Sequence, residues 1–179
     1  DSISYKSKTY INDSFNVALK LIKHNKSSCL INGPISKKDF LDKKYLGITE
    51  YLSSKSKSKN EPTMLIFNEK LAVCPVTTHL PLKKVTSKLN KNKIIDKTYK
   101  IFTFYKNVLK RKPRIAILGL NPHCETIDKF SEEKNIIKPA INYLKNRKIS
   151  VFGPFSADTF FLKDNMNKYD VVIGMYHDQ

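Results

Sequence analysis

Three of the four histidines in the chain share one placement. His79 follows the apolar run Leu71 to Val76 in LAVCPVTTHLPL. His123 follows Ile115 to Leu120 in RIAILGLNPHCE, and His177 follows Asp170 to Met175 in DVVIGMYHDQ. Each run is short, apolar and rich in β-branched residues, the pattern of a buried strand. In open α/β sheets, ligands bind in the crevice beyond the carboxyl ends of the strands. Three neutral imidazoles meeting there would hold a divalent cation and leave coordination positions for a substrate. A single histidine in such a place is an ordinary loop residue; the repetition is what points to a site. Such a site requires the three strand ends to be neighbours in the sheet. The fourth histidine, His24, falls at the lysine-rich end of a predicted helix, where a dipole partner is commonplace, and is set aside.

Periodicity gives the helices and strands around these residues. Ser14 to Asn25 puts Phe15, Ala18, Leu19 and Ile22 on one helical face. SCLIN reads as a short strand ended by Gly33-Pro34, and Ser36 as the N-cap of a short helix. Lys37 then stands at a strand-to-helix turn, where a cation could meet an anionic substrate. LGITEYL is a turn entering a helix with Thr49 near its start. TMLIFN and LAVCPV flank Asn68-Glu69 as a hairpin or two adjacent strands, and Pro81 opens a helix running to about Leu89. Asn92 to Arg111 carries a long apolar stripe with lysines opposite, which is core packing. Pro113 ends it. Ser131 to Lys148 is a helix that Pro139 kinks or splits. ISVFGPF gives a strand and a Gly153-Pro154 turn, followed by a loop carrying Asp158. Alternating strands and helices predict an α/β fold, an α/β/α sandwich on a mixed, mostly parallel sheet.

Composition narrows the function classes. The formal net charge is +17, yet the only arginines are Arg111, Arg114 and Arg147. Lysine is spread over most of the chain among asparagine and isoleucine, and no nucleic-acid-reading module is present. The densest run, Ser53 to Asn60, reads as a solvated loop. We therefore expect no nucleic-acid partner. No apolar stretch approaches membrane-spanning length, so no membrane partner is expected either. Cys29, Cys74 and Cys124 form no CxxC pair and suit a reducing compartment, the cytoplasm. Cys29 and Cys74 lie in apolar runs and read as small core residues. Cys124, beside His123, is either a further ligand or a packing residue. The chain opens without methionine and stops just after His177, so we expect an internal fragment of one protomer, residues 1–179, with no internal boundary assigned.

Taken in order, NGPISK, GITE, TTHLPL, GLNPH, GP-x-x-ADT-x-F and MYHDQ resemble the motif series of the 4-hydroxythreonine-4-phosphate dehydrogenase family of pyridoxal phosphate biosynthesis. The resemblance runs from about Ser28 to Gln179, and TTHLPL, LNPH and YHDQ are its specific signatures. It implies a fold like that of isocitrate and isopropylmalate dehydrogenases, which lack the Rossmann GxGxxG loop, as this chain does. It also implies that His79, His123 and His177 bind a divalent metal (zinc, magnesium or cobalt), that NAD or NADP is the cofactor, and that the substrate is a small phosphorylated hydroxy amino acid. Thr49 matches a substrate-contacting threonine in the family's Gly-His-Thr-Glu motif, where Ile48 here replaces the histidine. Asp158 and Asp178 match acidic residues lining an active site at a homodimer interface. After His123 the family often carries Ala-Gly-Glu-Gly, against Cys124-Glu125-Thr126-Ile127 here.

The chemistry agrees with the residue types. Oxidising a secondary alcohol removes a proton from oxygen and a hydride from carbon, and a cation held by neutral imidazoles can act as Lewis acid at that oxygen. Asp158 or Asp178 could orient a ligand histidine or the substrate amine. Lys37 is the local candidate for the substrate phosphate. A dehydrogenase of phosphorylated threonate or erythronate is the near alternative, kept open by Ile48. A metal hydrolase would turn over without nicotinamide. A basic, non-catalytic binding module would show salt-sensitive nucleic-acid binding and no metal uptake.

Overall fold

The computed structural model describes residues 5–41, 44–45, 47–56, 61–125 and 129–179, apart from the side chains of residues 5, 37 and 163. The chain divides into two compact units, residues 1–62 and 63–179. In the first, α1 (Tyr5–Lys23) is longer than the expected helix, and the short α2 (Lys37–Phe40) and α3 (Ile48–Lys55) follow. Phe15, Phe40, Leu41 and Tyr51 form its buried core, with the Phe40 and Tyr51 rings edge to face at 5.1 Å. Ser36 caps α2 as expected: its hydroxyl bonds the Asp39 carboxylate and accepts from the Asp39 N–H. SCLIN is not a strand. No ladder forms over those residues, and Ile31 is 91% exposed, because an apolar run without a partner strand has nothing to pair with. Cys29 is exposed, contrary to the core role expected of it.

The second unit is built on a four-stranded parallel sheet. Its strands are β1 (Ala72–Thr77), β2 (Ile115–Leu118), β3 (Val151–Phe155) and β4 (Val171–Tyr176), in spatial order β1-β4-β2-β3. Between β1 and β2 lie α4 (Val85–Lys88) and α5 (Lys91–Asn107), the latter capped by the Asn90 side chain accepting from the Lys93 N–H at 2.9 Å. The helix expected around Pro139 is split as the proline requires. A π-helical turn covers Glu133–Ile137, and α6 (Lys138–Asn146) restarts with Pro139 in its first turn. Two short helices, α7 (Ala157–Phe160) and α8 (Lys163–Met166), lead into β4.

Strand periodicity sends alternate residues to opposite faces. Cys74, Ile115, Ile117, Ile173 and Met175 pack with Ile94, Ile101, Ile141 and Leu144 of α5 and α6 on one face. Ala116, Leu118 and Val172 pack with Phe160 of α7 on the other. The sandwich read from the sequence is the observed architecture. The expected hairpin at Asn68-Glu69 shrinks to one antiparallel bridge, in which Ile66 and Val73 exchange both backbone hydrogen bonds at 2.8 Å. Pro75 has no N–H to give and sits in β1 at the end of the strand order, where its loss costs least. Gly153-Pro154 is not a turn but lies inside β3. Gly153 has φ +125°, and a Cβ there would meet the Ile117 carbonyl oxygen at 2.3 Å, at a register shift between β2 and β3. Asp158 accordingly stands on α7 rather than on a loop.

Glu133 is a buried charge, 1% exposed. Its Oε1 accepts from the N–H groups of Leu120 (2.7 Å) and Asn121 (2.8 Å), and its Oε2 from Asn121 Nδ2 and Ser131 Oγ, both at 2.9 Å. Burial alone would push this carboxyl up. The hydrogen bonds from Asn121 and Ser131 outweigh it and hold the group down at about 2, against an ordinary 4.5. A depressed carboxylate stabilises the fold fully above its unfolded value and ceases to do so as pH falls through its folded value. The expected outcome is a loss of stability of the order of a few kcal/mol between about pH 4.5 and pH 2. Urea unfolding across that range checks it: Glu133→Gln should flatten this part of the profile, and an unchanged profile would remove the assignment.

Candidate functional site

The strand order makes neighbours of the three histidine-bearing exits. β4 pairs with β1 on one side and with β2 on the other. His79 stands two residues past β1, His177 directly after β4, and His123 five residues past β2 in a 3-10 turn over Pro122–Cys124. Thr77 and Tyr176, the last residues of β1 and β4, are register partners. From that level the His79 and His177 rings stand 6.3 Å apart between centroids, tilted by 32°. The buried Thr77 hydroxyl donates to the Met175 carbonyl at 2.8 Å and ties these two exits together. Gln179 does the same between β4 and β2. Its Oε1 accepts from the Met175 N–H at 2.6 Å, and its Nε2 donates to the Gly119 carbonyl at 2.5 Å. Neither clamp was visible in the sequence, because each joins residues brought together only by the parallel ladder.

Each carboxylate expected at the site meets a histidine. Asp178 Oδ1 lies 2.9 Å from His177 Nδ1, and Asp158 Oδ2 lies 3.5 Å from His123 Nδ1. The Ser156 hydroxyl donates to Asp158 Oδ1 at 2.6 Å. That hydrogen bond, partly opposed by desolvation and assisted by His123, holds the Asp158 carboxyl below the usual range. All three histidines are exposed. Among the described residues, no three histidine, cysteine, aspartate or glutamate side chains stand close enough together to share one ion. The arrangement is two adjoining rings and a third in the turn that follows the next strand. Cys124 is partly buried with its thiol against Gly119, and burial raises its pKa above the ordinary value, which favours packing over a ligand role. Thr49 is exposed in the first turn of α3, in the first unit. Lys37 opens α2 in the same unit, and its side chain is outside the described residues, as are Thr126 and Ile127 of the loop after His123.

Two of the three histidines occupy the left-handed region, His79 at φ +52° and His123 at φ +56°, and Cys124 follows at φ +60°. Non-glycine residues are uncommon there, and such strain concentrates where the chain must aim a side chain.

This is the fold of the isocitrate and isopropylmalate dehydrogenases, a parallel α/β sheet with polar groups gathered beyond its carboxyl edge. A 4-hydroxythreonine-4-phosphate dehydrogenase from Klebsiella pneumoniae superposes with a TM-score of 0.87 at 28% identity, covering 99% of this chain and 55% of its own. The enzyme of the same name from Sulfurihydrogenibium sp. (strain YO3AOP1) is 40% identical over 166 residues, 90% of this chain and 51% of the relative. A D-threonate 4-phosphate dehydrogenase from Pectobacterium atrosepticum is 35% identical over 136 residues, 75% of this chain and 41% of the relative. The family described as pyridoxal phosphate biosynthetic protein PdxA matches residues 1–179, and the chain belongs to that family. It spans about half the length of the curated relatives it matches.

If His123 is held against its backbone preference, replacing it should relieve strain. His123→Gly is expected to be neutral or stabilising by up to about 1 kcal/mol without metal, since the relief of about 1–2 kcal/mol exceeds the entropy that glycine adds to the unfolded chain. Urea unfolding measures this, and a loss above about 1 kcal/mol would contradict it.

Proposed function

We propose that the protein carrying this chain oxidises the secondary hydroxyl of 4-phosphooxy-L-threonine with NAD or NADP. The product, 2-amino-3-oxo-4-phosphooxybutanoate, loses carbon dioxide to leave 3-amino-2-oxopropyl phosphate, on the route to pyridoxal 5'-phosphate. The observation that carries this reading is the emergence of His79, His177 and His123 from three adjoining parallel strands. The donor set fits a divalent ion. A carboxylate at Nδ1 of His177 and of His123 leaves Nε2 as the ligating nitrogen of each ring. Nitrogen donors favour a transition ion such as zinc or cobalt over magnesium. Bound there, the ion would supply Lewis-acid chemistry at the hydroxyl being oxidised.

The chain's own residues do the rest. Asp158, which accepts a hydrogen bond from Ser156, holds the His123 ring or the substrate amine, and Asp178 serves His177 in the same way. The family motif assigns Thr49 to the substrate, and Lys37 is by residue type the candidate for a phosphate. The enzyme works as a cytoplasmic homodimer with its active site at the subunit interface. Among the described residues no helix is long and apolar enough to cross a membrane. A second reading, oxidation of a phosphorylated threonate or erythronate, draws support from Ile48 in place of the family's histidine and from the relative named for D-threonate 4-phosphate.

The test is nicotinamide reduction by the full-length protein, with 4-phosphooxy-L-threonine and D-threonate 4-phosphate side by side, with and without chelator. The expected result is faster turnover of the amino acid, abolished by chelator and restored by zinc or cobalt. His79→Ala, His123→Ala and His177→Ala should each lower kcat/KM by at least about a hundredfold. Preference for the threonate would move the assignment to the second reading. Turnover indifferent to chelator would remove the metal from it. Residues 1–179 alone are expected to form no NADH.

A further inference from the structure

The stretch that links β2 to His123 is held from below by one side chain. Glu133 reaches back from the π-helical turn to accept hydrogen bonds from the N–H groups of Leu120 and Asn121 on one oxygen. The Asn121 side chain is held by the other oxygen, and also donates to Glu132 Oε2 at 2.9 Å. Asn121 is the last extended residue before the turn, at φ −88° and ψ 155°, and its carbonyl accepts from the Cys124 N–H at 3.1 Å as the turn closes. Between these contacts the chain enters the left-handed conformation at His123 and Cys124. The carboxylate can come this close because residue 119 is glycine. A Cβ there would stand 3.2 Å from Glu133 Oε1 and 2.5 Å from Cys124 Sγ.

Three roles could account for a side chain so placed. An apolar residue would fill the space without the desolvation a carboxylate suffers. Water could satisfy two N–H groups at a strand exit. What the carboxylate alone adds is direction: two adjacent peptide planes and one amide are fixed to a single rigid group, two residues ahead of a histidine. We propose that Glu133 is a positioning residue for His123, setting the strained turn that presents this imidazole beside those on the neighbouring strand exits. The inference rests on the three-histidine reading above. Glu133 touches neither substrate nor ion; it acts through Leu120 and Asn121, and Ser131, which donates to the same carboxylate, supports it.

The probe is Co2+ alone, titrated into the metal-free full-length protein by calorimetry and followed by its visible absorption. The expected result is a site that His79→Ala and His177→Ala each abolish. Glu133→Gln, which faces the Asn121 amide with a second amide, should weaken Co2+ binding about tenfold to a hundredfold, the usual effect of losing an outer partner. Ser131→Ala should weaken it less and in the same direction. A residue serving only stability would lower the unfolding temperature and leave the affinity of the folded protein unchanged. That pattern in both variants, with the histidine dependence intact, overturns the positioning role. Co2+ binding that ignores the histidines overturns the metal reading and the positioning role with it. Should Glu133→Ala fail to fold, Glu133→Gln and Ser131→Ala decide the question.

Discussion

The placement of β4 between β1 and β2 is the constraint on which the rest depends. Parallel neighbours run about 4.8 Å apart and end on the same edge, so three strands in succession deliver three chain exits along one edge of the sheet. Had β4 paired on the outer side of β3, His177 would stand two strands from His123 and three from His79. The pairing is secured by burial. Val171, Val172, Ile173 and Met175 are fully covered, and alternate residues are claimed by helices on both faces, so a one-residue slip would bring apolar side chains to the wrong layer. At the opposite edge, Asp170 accepts from the Arg114 N–H at 2.7 Å and pairs with Arg111 at 3.1 Å, fixing where β4 begins.

Above this frame the polar contacts hold strand exits rather than strands. Thr77 joins β1 to β4, Gln179 joins β4 to β2, and Glu133 fixes the path out of β2. Short clamps of this kind matter where a site must be accurate to a fraction of an ångström, because backbone freedom grows quickly beyond the last ladder hydrogen bond. The two left-handed histidines fit the same picture. A residue that reverses the chain within one step keeps its ring near the sheet edge, at a modest cost in backbone energy.

Much of this was legible in the sequence because it rests on local pattern. The β-branched runs before His79, His123 and His177, the amphipathic stripe of α5, the Ser36 cap and the break at Pro139 each declare themselves within a few residues. The failures were cases where tertiary context decides. SCLIN has strand composition but no partner. Gly153-Pro154 has turn composition but lies in a strand, since its glycine admits the Ile117 carbonyl. Glu133 carries no local mark, since its burial depends on a loop 12 residues earlier. Thr77 and Met175 are 98 positions apart. No single sequence marks such pairs.

The proposal that the exits of three adjoining strands share one divalent ion is decided by anomalous diffraction from crystals of the full-length protein grown with zinc or cobalt. The expected result is one strong peak about 2.0–2.1 Å from a ring nitrogen of each of His79, His123 and His177. A peak bound elsewhere, or crystals in which those three rings surround no ion at saturating metal, would contradict it.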